Sequence, residues 1–168
     1  MSPRFFALLL LLALFGCGDG PILEPSPGRV AARDTLARAL DLRGRTLVLD
    51  GHDGAVRIRA DTVDRVELTL IRTARGLTAG SAEERLGSLA LYEVEGDEVA
   101  QFVWNSELEG TGVWAEVRVP PDADLVVELD AGTIHATGLD PARAYLRADS
   151  VFRMGTPPVT TDSSSAPG

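Results

Sequence analysis

The sequence predicts an all-β domain built as a short stack of strands with one short helix; an antiparallel β-sandwich is the alternative. Three observations predict it. Apolar and polar residues alternate at a period of two over 56–60, 66–70 and 113–119, the pattern of half-buried strands. Seventeen glycines and ten prolines punctuate the 168 residues and leave little room for long helices. A weak repeat in the C-terminal third sets a small-residue turn at Gly132 against another at Ser150, 18 residues on, as stacked β rungs would.

The chain opens with Met1-Ser2-Pro3-Arg4 and then 11 residues, 5–15, without a polar side chain. As a helix that run spans about 16 Å, roughly half a bilayer core. Its length and Arg4 predict a signal peptide. Its end, Leu14-Phe15-Gly16-Cys17, resembles the lipobox of bacterial lipoproteins. The resemblance implies that residues 1–16 are a lipoprotein signal peptide, that the chain is cut before Cys17, and that the Cys17 thiol carries diacylglycerol, with palmitate-type acyl chains as the membrane anchor. Cys17 is the only cysteine, so no internal disulfide can form. Gly18, Gly20, Pro21, Pro25, Pro27 and Gly28 make 17–29 a tether, since such a stretch builds neither helix nor central strand.

The β-rich domain is expected over 30–156. Val30, Leu36, Ala37 and Leu40 can line one face of a short helix over 30–42, which Gly44 closes. Leu47 and Leu49 begin a strand, Gly51-His52-Asp53-Gly54 is a turn, and Val56, Ile58 and Ala60 continue inward while Arg57 and Arg59 point out. Val66, Leu68 and Leu70 form the next inward row. Ser81, with Glu84 three residues later, predicts a capping box and a helix of about two turns that packs Leu86 and Leu89 on the sheet. Strands follow at 90–95 and 99–104, separated by Glu95-Gly96-Asp97, then a polar loop at 105–112 and a strand at 113–119 that Pro120-Pro121-Asp122 ends. Strands at 125–130 and 133–137 turn at Ala131-Gly132, with Val127, Leu129, Ile134 and Ala136 inward and His135 in solvent. Gly132 is expected at positive φ. The offset of 18 sets Ile134 against Phe152, Val127 against Tyr145 and Ala136 against Met154. Residues 157–168, rich in serine, threonine and proline without a period, read as a disordered tail.

Leu47-Val48-Leu49-Asp50 through Ala55-Val56-Arg57-Ile58 resembles the opening of the DUF4097-type putative adhesin domain, a bacterial β-strand-repeat family. Val119-Pro120-Pro121-Asp122, then Leu125-Val126-Val127-Glu128-Leu129-Asp130-Ala131-Gly132-Thr133-Ile134-His135-Ala136, resembles its internal rung. The resemblance covers roughly residues 47–152. It implies a short parallel β-helix or β-roll-like stack, an adhesin-like role in the cell envelope, and no catalytic residues.

The chemistry in the chain is sparse. Sixteen arginines, no lysine and 25 acidic residues give a net charge of −9, which disfavours nucleic acid because that affinity comes mainly from neutralised phosphates. His52 with Asp53 and nearby Asp50 reads as a polar turn, so no metal and no cofactor is expected. No serine sits in a nucleophile-elbow pattern. Glu107 and Glu109 lie on the Gly-rich loop, and a glycosidase would need its two carboxylates held about 5 or 9 Å apart. An envelope enzyme acting on glycan or peptide is therefore the alternative, and a non-enzyme the expectation. Trp104 shares the phase of Phe102 and reads as core. Trp114 alternates out of phase with Val113 and Ala115; it either faces outward as an anchor for a peptide or glycan or packs under the short helix. Trp114, Glu107 and Glu109 form the candidate binding surface. The whole reads as a non-catalytic, binding or structural domain, held to a bacterial envelope membrane by lipid on Cys17, facing the periplasm or the exterior, with a protein or glycan partner.

Overall fold

The computed structural model describes residues 30–155. The expected signal peptide over 1–16, Cys17, the expected tether over 17–29 and the expected tail over 157–168 lie outside the described residues.

Nine strands and one helix follow in the order β1 (Val30–Leu40), β2 (Thr46–Ala60), β3 (Val66–Gly76), α1 (Ala79–Ser88), β4 (Ala90–Glu95), β5 (Val99–Asn105), β6 (Thr111–Val119), β7 (Leu125–Thr137), β8 (Ala144–Arg147) and β9 (Ser150–Met154). They form one mixed sheet. Its centre is β2, which lies parallel to β7 along nearly its whole length. On its other side β2 changes partner midway: Thr46–Gly51 pairs with β5, and Gly54–Ala60 pairs with β6. β7 repeats the division, pairing with β8 before its bend and with β9 after it. The sheet therefore has two arms that meet at a corner through Gly51–Gly54 and Leu129–Gly132. One arm runs β4-β5-β2-β7-β8 and the other β1-β3-β6-β2-β7-β9. β1 joins β3, and β3 joins β6, antiparallel. The result is a curled, open half-barrel, neither a closed β-helix nor two facing antiparallel sheets.

The curl follows from the alternation. Leu47 and Leu49 before the corner, and Val56 and Ile58 after it, fall on the concave side. So do Val127, Leu129 and Ile134 on β7, Phe102 on β5, and Val113, Ala115, Val117 and Val119 on β6; all belong to one core shared by both arms. Each such Val, Leu, Ile or Phe side chain contributes about 1.5–3 kcal/mol on burial.

Backbone approach at the corner requires glycine. Gly132 has φ of 120°, and a Cβ there would run into the Gly54 carbonyl oxygen on the neighbouring strand. Gly51 lies flat against the indole of Trp104, leaving no room for a side chain. That indole is only 1% exposed and donates from Nε1 to the Asp53 carbonyl at 3.0 Å. Trp104 is thus the core residue its phase predicts, plugged into the inside of the bend.

Three local expectations change. Residues 30–40 form an edge strand instead of a helix. Ala32, Leu36 and Leu40 are its buried or half-buried positions, spaced by four because the intervening inward positions, Asp34 and Arg38, are polar. Asp34 pairs with Arg72, and Arg38 pairs with Glu93 of β4 at 2.9 Å. A spacing of four in a strand imitates a helix face. The helix cap is Thr78 in place of Ser81: Ser81 occupies the third helical position, its N–H donating to the Thr78 hydroxyl and its own hydroxyl accepting from the Thr78 N–H. Leu89 is buried as expected, and the buried helical residue is Ala82. The third change concerns register. Val127 lies opposite Leu146, and Ile134 opposite Val151; Phe152 lies opposite His135. The offset is 19 before the corner and 17 after it, because the β8–β9 turn is two residues shorter than the bend in β7. A constant count of 18 averages the two and puts Phe152 on the wrong face.

Side-chain contacts link the two arms at each end of the sheet. At the β1/β4 end, beside the Arg38–Glu93 pair, Arg72 donates to the Leu89 carbonyl at 3.1 Å. At the other end Arg153 reaches from β9 to the Ala144 carbonyl of β8 at 3.2 Å.

Candidate functional site

The convex face of the β6-β2-β7-β9 region carries the chain's unusual surface chemistry. Alternation dictates its membership: if Val56 and Ile58 point in, Ala55 and Arg57 point out. Register then lines up neighbours. Trp114 lies opposite Ile71 and Ala55. Arg57 lies opposite Glu116 and His135. His135 lies opposite Phe152.

These groups stack in pairs. The Arg57 guanidinium sits over the Trp114 ring, 5.4 Å from its centroid, an exposed cation–π contact that contributes about 0.5–1 kcal/mol. The His135 and Phe152 rings are 4.9 Å apart and 12° from parallel. Trp114 and His135 are half-buried, while Arg57 and Phe152 are exposed. Among the described residues Arg57 makes no ion pair, so its N–H groups face solvent. From Trp114 to Phe152 the strip crosses three strand spacings, about 14 Å. It offers flat apolar faces and one free cationic donor, the equipment to hold a ring or planar group by stacking and an acceptor by hydrogen bonding.

The expected binding residues are only partly brought together. Trp114 faces outward, and its cation is Arg57; α1 packs on β1 and β3. Glu107 and Glu109 are exposed on the loop that leads into β6. That loop is tied to the helix, since Arg85 Nη1 donates to the Glu109 carbonyl at 2.9 Å and to the Arg75 carbonyl at 3.2 Å. Arg57, His135 and Phe152 were not legible as site residues. Arg57 does show as an outward arginine, but its meeting with Trp114 depends on β2 changing partners at the corner.

The described domain carries no catalytic constellation. Ser106, on the same loop, gives its hydroxyl hydrogen to the Asp53 carbonyl at 3.2 Å instead of to a base. His52 Nδ1 lies 3.4 Å from Asp130 Oδ2 at the rim of the corner. No group of three or more His, Cys, Asp or Glu side chains among the described residues is placed to hold a metal. A cleft of about 410 Å³ opens at one end between the 41–45, 63–66 and 120–124 segments. Its charges are largely satisfied internally, Arg43 by Asp41 at 2.7 Å and Arg143 by Asp124 at 2.9 Å. The Arg143 guanidinium holds the Asp124 carboxyl below its ordinary range.

No family model matches the chain, and no curated protein matches it. Among solved structures it is similar to a putative cell adhesion protein from Clostridium sporogenes, at 9% identity and a TM-score of 0.44, over 71% of this chain and 59% of that one. It is also similar to a putative adhesin from Bacteroides fragilis, at 10% identity and a TM-score of 0.37, over 72% and 56%. A putative adhesin from Parabacteroides merdae matches at 6% identity and a TM-score of 0.32, over 72% and 57%. The chain spans less than two thirds of the length of each.

Proposed function

We propose that this chain is a lipid-anchored, non-catalytic domain of the bacterial cell envelope, of the DUF4097-type adhesin kind, that binds a protein or glycan through its convex face. The observation that carries the binding role is the strip Trp114, Arg57, His135 and Phe152. An outward indole under an unpaired guanidinium does nothing for the core, yet it suits a partner that offers a ring face and an acceptor. Glu107 and Glu109, on the loop before β6, are the polar rim of this surface. The anchor rests on the apolar run that ends in Leu14-Phe15-Gly16-Cys17. More than one acyl chain on Cys17 holds the domain stably, and the folded part then needs no membrane-binding face of its own.

Two measurements test the two halves. Metabolic labelling with a palmitate analogue marks the wild-type chain and not Cys17→Ser; an unlabelled wild-type chain removes the anchor. Glycan and peptide arrays probed with the full chain give signals that Trp114→Ala and Arg57→Ala abolish while thermal unfolding stays close to wild type. Signals insensitive to both substitutions, or none at all, remove the convex-face reading.

A further inference from the structure

Three neighbouring strands come to one end of the sheet with apolar side chains in solvent. β1 and β6 both run antiparallel to β3. The start of β1, the end of β3 and the start of β6 therefore lie side by side, about 10 Å across. Val30 opens β1, Leu77 follows β3, and Leu108 sits on the loop before β6; all three are exposed. Leu77 is 79% exposed, more than any other large hydrophobic side chain among the described residues. The Arg75 N–H donates to the Gly110 carbonyl at 2.8 Å, which holds the Leu108 loop against β3.

The chain around Leu77 is also without charge, from Gly76 through Thr78, Ala79, Gly80 and Ser81 to Ala82. The first turn of α1 holds no acidic residue, although its dipole favours one in water. Thr78 and Ser81 cap each other there, so the turn gives up few hydrogen bonds to water when it is covered. An exposed leucine on such a turn, with a second one beside it, suits an interfacial phase better than bulk water.

Where the chain enters the domain selects the phase. Val30, at this same end, comes 13 residues after Cys17. A fully extended chain of that length reaches at most roughly 45 Å. β3 has 11 residues and spans roughly 36 Å. Setting the opposite end of β3 on the bilayer would draw the segment after Cys17 out along nearly the whole strand, at a cost in conformational freedom. With the Leu77 end down, the segment need not be drawn out.

We infer that the end formed by Leu77 and Leu108 rests on the bilayer that holds the Cys17 lipid, with both leucines among the headgroups. This rests on the reading of Cys17 as the anchor. The lipid supplies the hold, and the leucines set which end of the domain faces the membrane. Charge narrows the surface further. Glu107 and Glu109 flank Leu108, and Asp53 and Asp130 are exposed at the adjoining corner, so zwitterionic headgroups suit this end better than anionic ones. β1, β3 and β6 then stand on end, with the convex face open to the side and the cleft at 63–66 turned away from the membrane.

Site-directed spin labelling tests it on the full-length lipidated chain in vesicles of phosphatidylcholine and phosphatidylethanolamine. The thioether on Cys17 leaves an introduced cysteine as the only free thiol. Nitroxides are attached in Leu77→Cys, in Leu108→Cys and, as the reference, in Asp64→Cys, which is exposed beside the cleft at the far end of β3. The inference predicts that the first two labels collide more with oxygen, and less with a water-soluble nickel chelate, than the Asp64 label does. A label in Ala79→Cys shows the same protection. It loses that protection when Leu77→Glu and Leu108→Glu are added, while flotation with the vesicles and Tm stay close to wild type. A chain that floats with Leu77 and Leu108 as open to the chelate as Asp64 overturns the inference and leaves the anchor standing. So does an Ala79 label whose protection ignores both glutamates. A chain that does not float removes the anchor and the inference with it.

Discussion

Replacing Gly132 with alanine attacks the corner at its narrowest point. Two costs add there. The backbone holds φ of 120°, a conformation that costs an L-residue about 1–3 kcal/mol. The new Cβ also meets backbone, not a movable side chain: it runs into the Gly54 carbonyl oxygen and comes within 3.1 Å of the Gly54 nitrogen. Relieving that contact means prying β7 from β2 at the corner, an overpacking strain of about 1–3 kcal/mol. The expected loss is about 2–6 kcal/mol, enough to lower Tm by about 10 °C or more in a domain of this size. Gly44→Ala is the matched control. Gly44 also has positive φ, 84°, but nothing lies within 4 Å of the position its Cβ would take, so it bears the conformational cost alone, about 1–2 kcal/mol. Urea unfolding of both variants separates the two costs. If Gly132→Ala proves no more destabilising than Gly44→Ala, the close approach of β2 and β7 is wrong.

Ile134→Ala leaves a cavity in the shared core and costs about 2–5 kcal/mol by urea unfolding, whereas His135→Ala, one residue away on the convex face, loses only its stack on Phe152, about 0.5–1.5 kcal/mol. The acid limb of stability depends on three carboxyls held below their usual value of 3.8: Asp34 chiefly by Arg72, Asp61 by the Thr62 N–H and then Arg118, and Asp124 by Arg143. A depressed folded-state pKa gives stabilisation that is complete above the unfolded value and is lost as pH falls through the folded one. Stability therefore declines below about pH 4, and Asp61→Asn with Asp124→Asn makes that decline shallower in an acid titration; an unchanged slope removes these carboxyls from the account.

Much of this architecture is written in local alternation, and the misreadings have a common cause. The strands that end on the core at every second residue, β2, β3, β6 and β7, are legible because both neighbours bury the same face. β1 is not, because as an edge strand it spends inward positions on Asp34 and Arg38, whose partners Arg72 and Glu93 lie far along the chain. No local pattern announces such a pairing. Likewise Gly132 could be read as a turn glycine, but the partner that makes it obligatory, Gly54, lies on another strand. The candidate site divides the same way. Trp114 is legible by phase; that Arg57 covers it and that Phe152 stacks on His135 depends on cross-strand register, which turn lengths set.

The central claim is that β2, β7 and the β8–β9 strands are parallel rungs, in a register that puts His135 and Phe152 on the convex face. Nuclear Overhauser contacts in the full chain, with isoleucine and valine methyls and aromatic rings labelled, test it most directly. The account predicts contacts between the His135 and Phe152 rings, and between the Ile134 methyls and Val151. Contacts from Ile134 to Phe152, with His135 free of any aromatic neighbour, would contradict it.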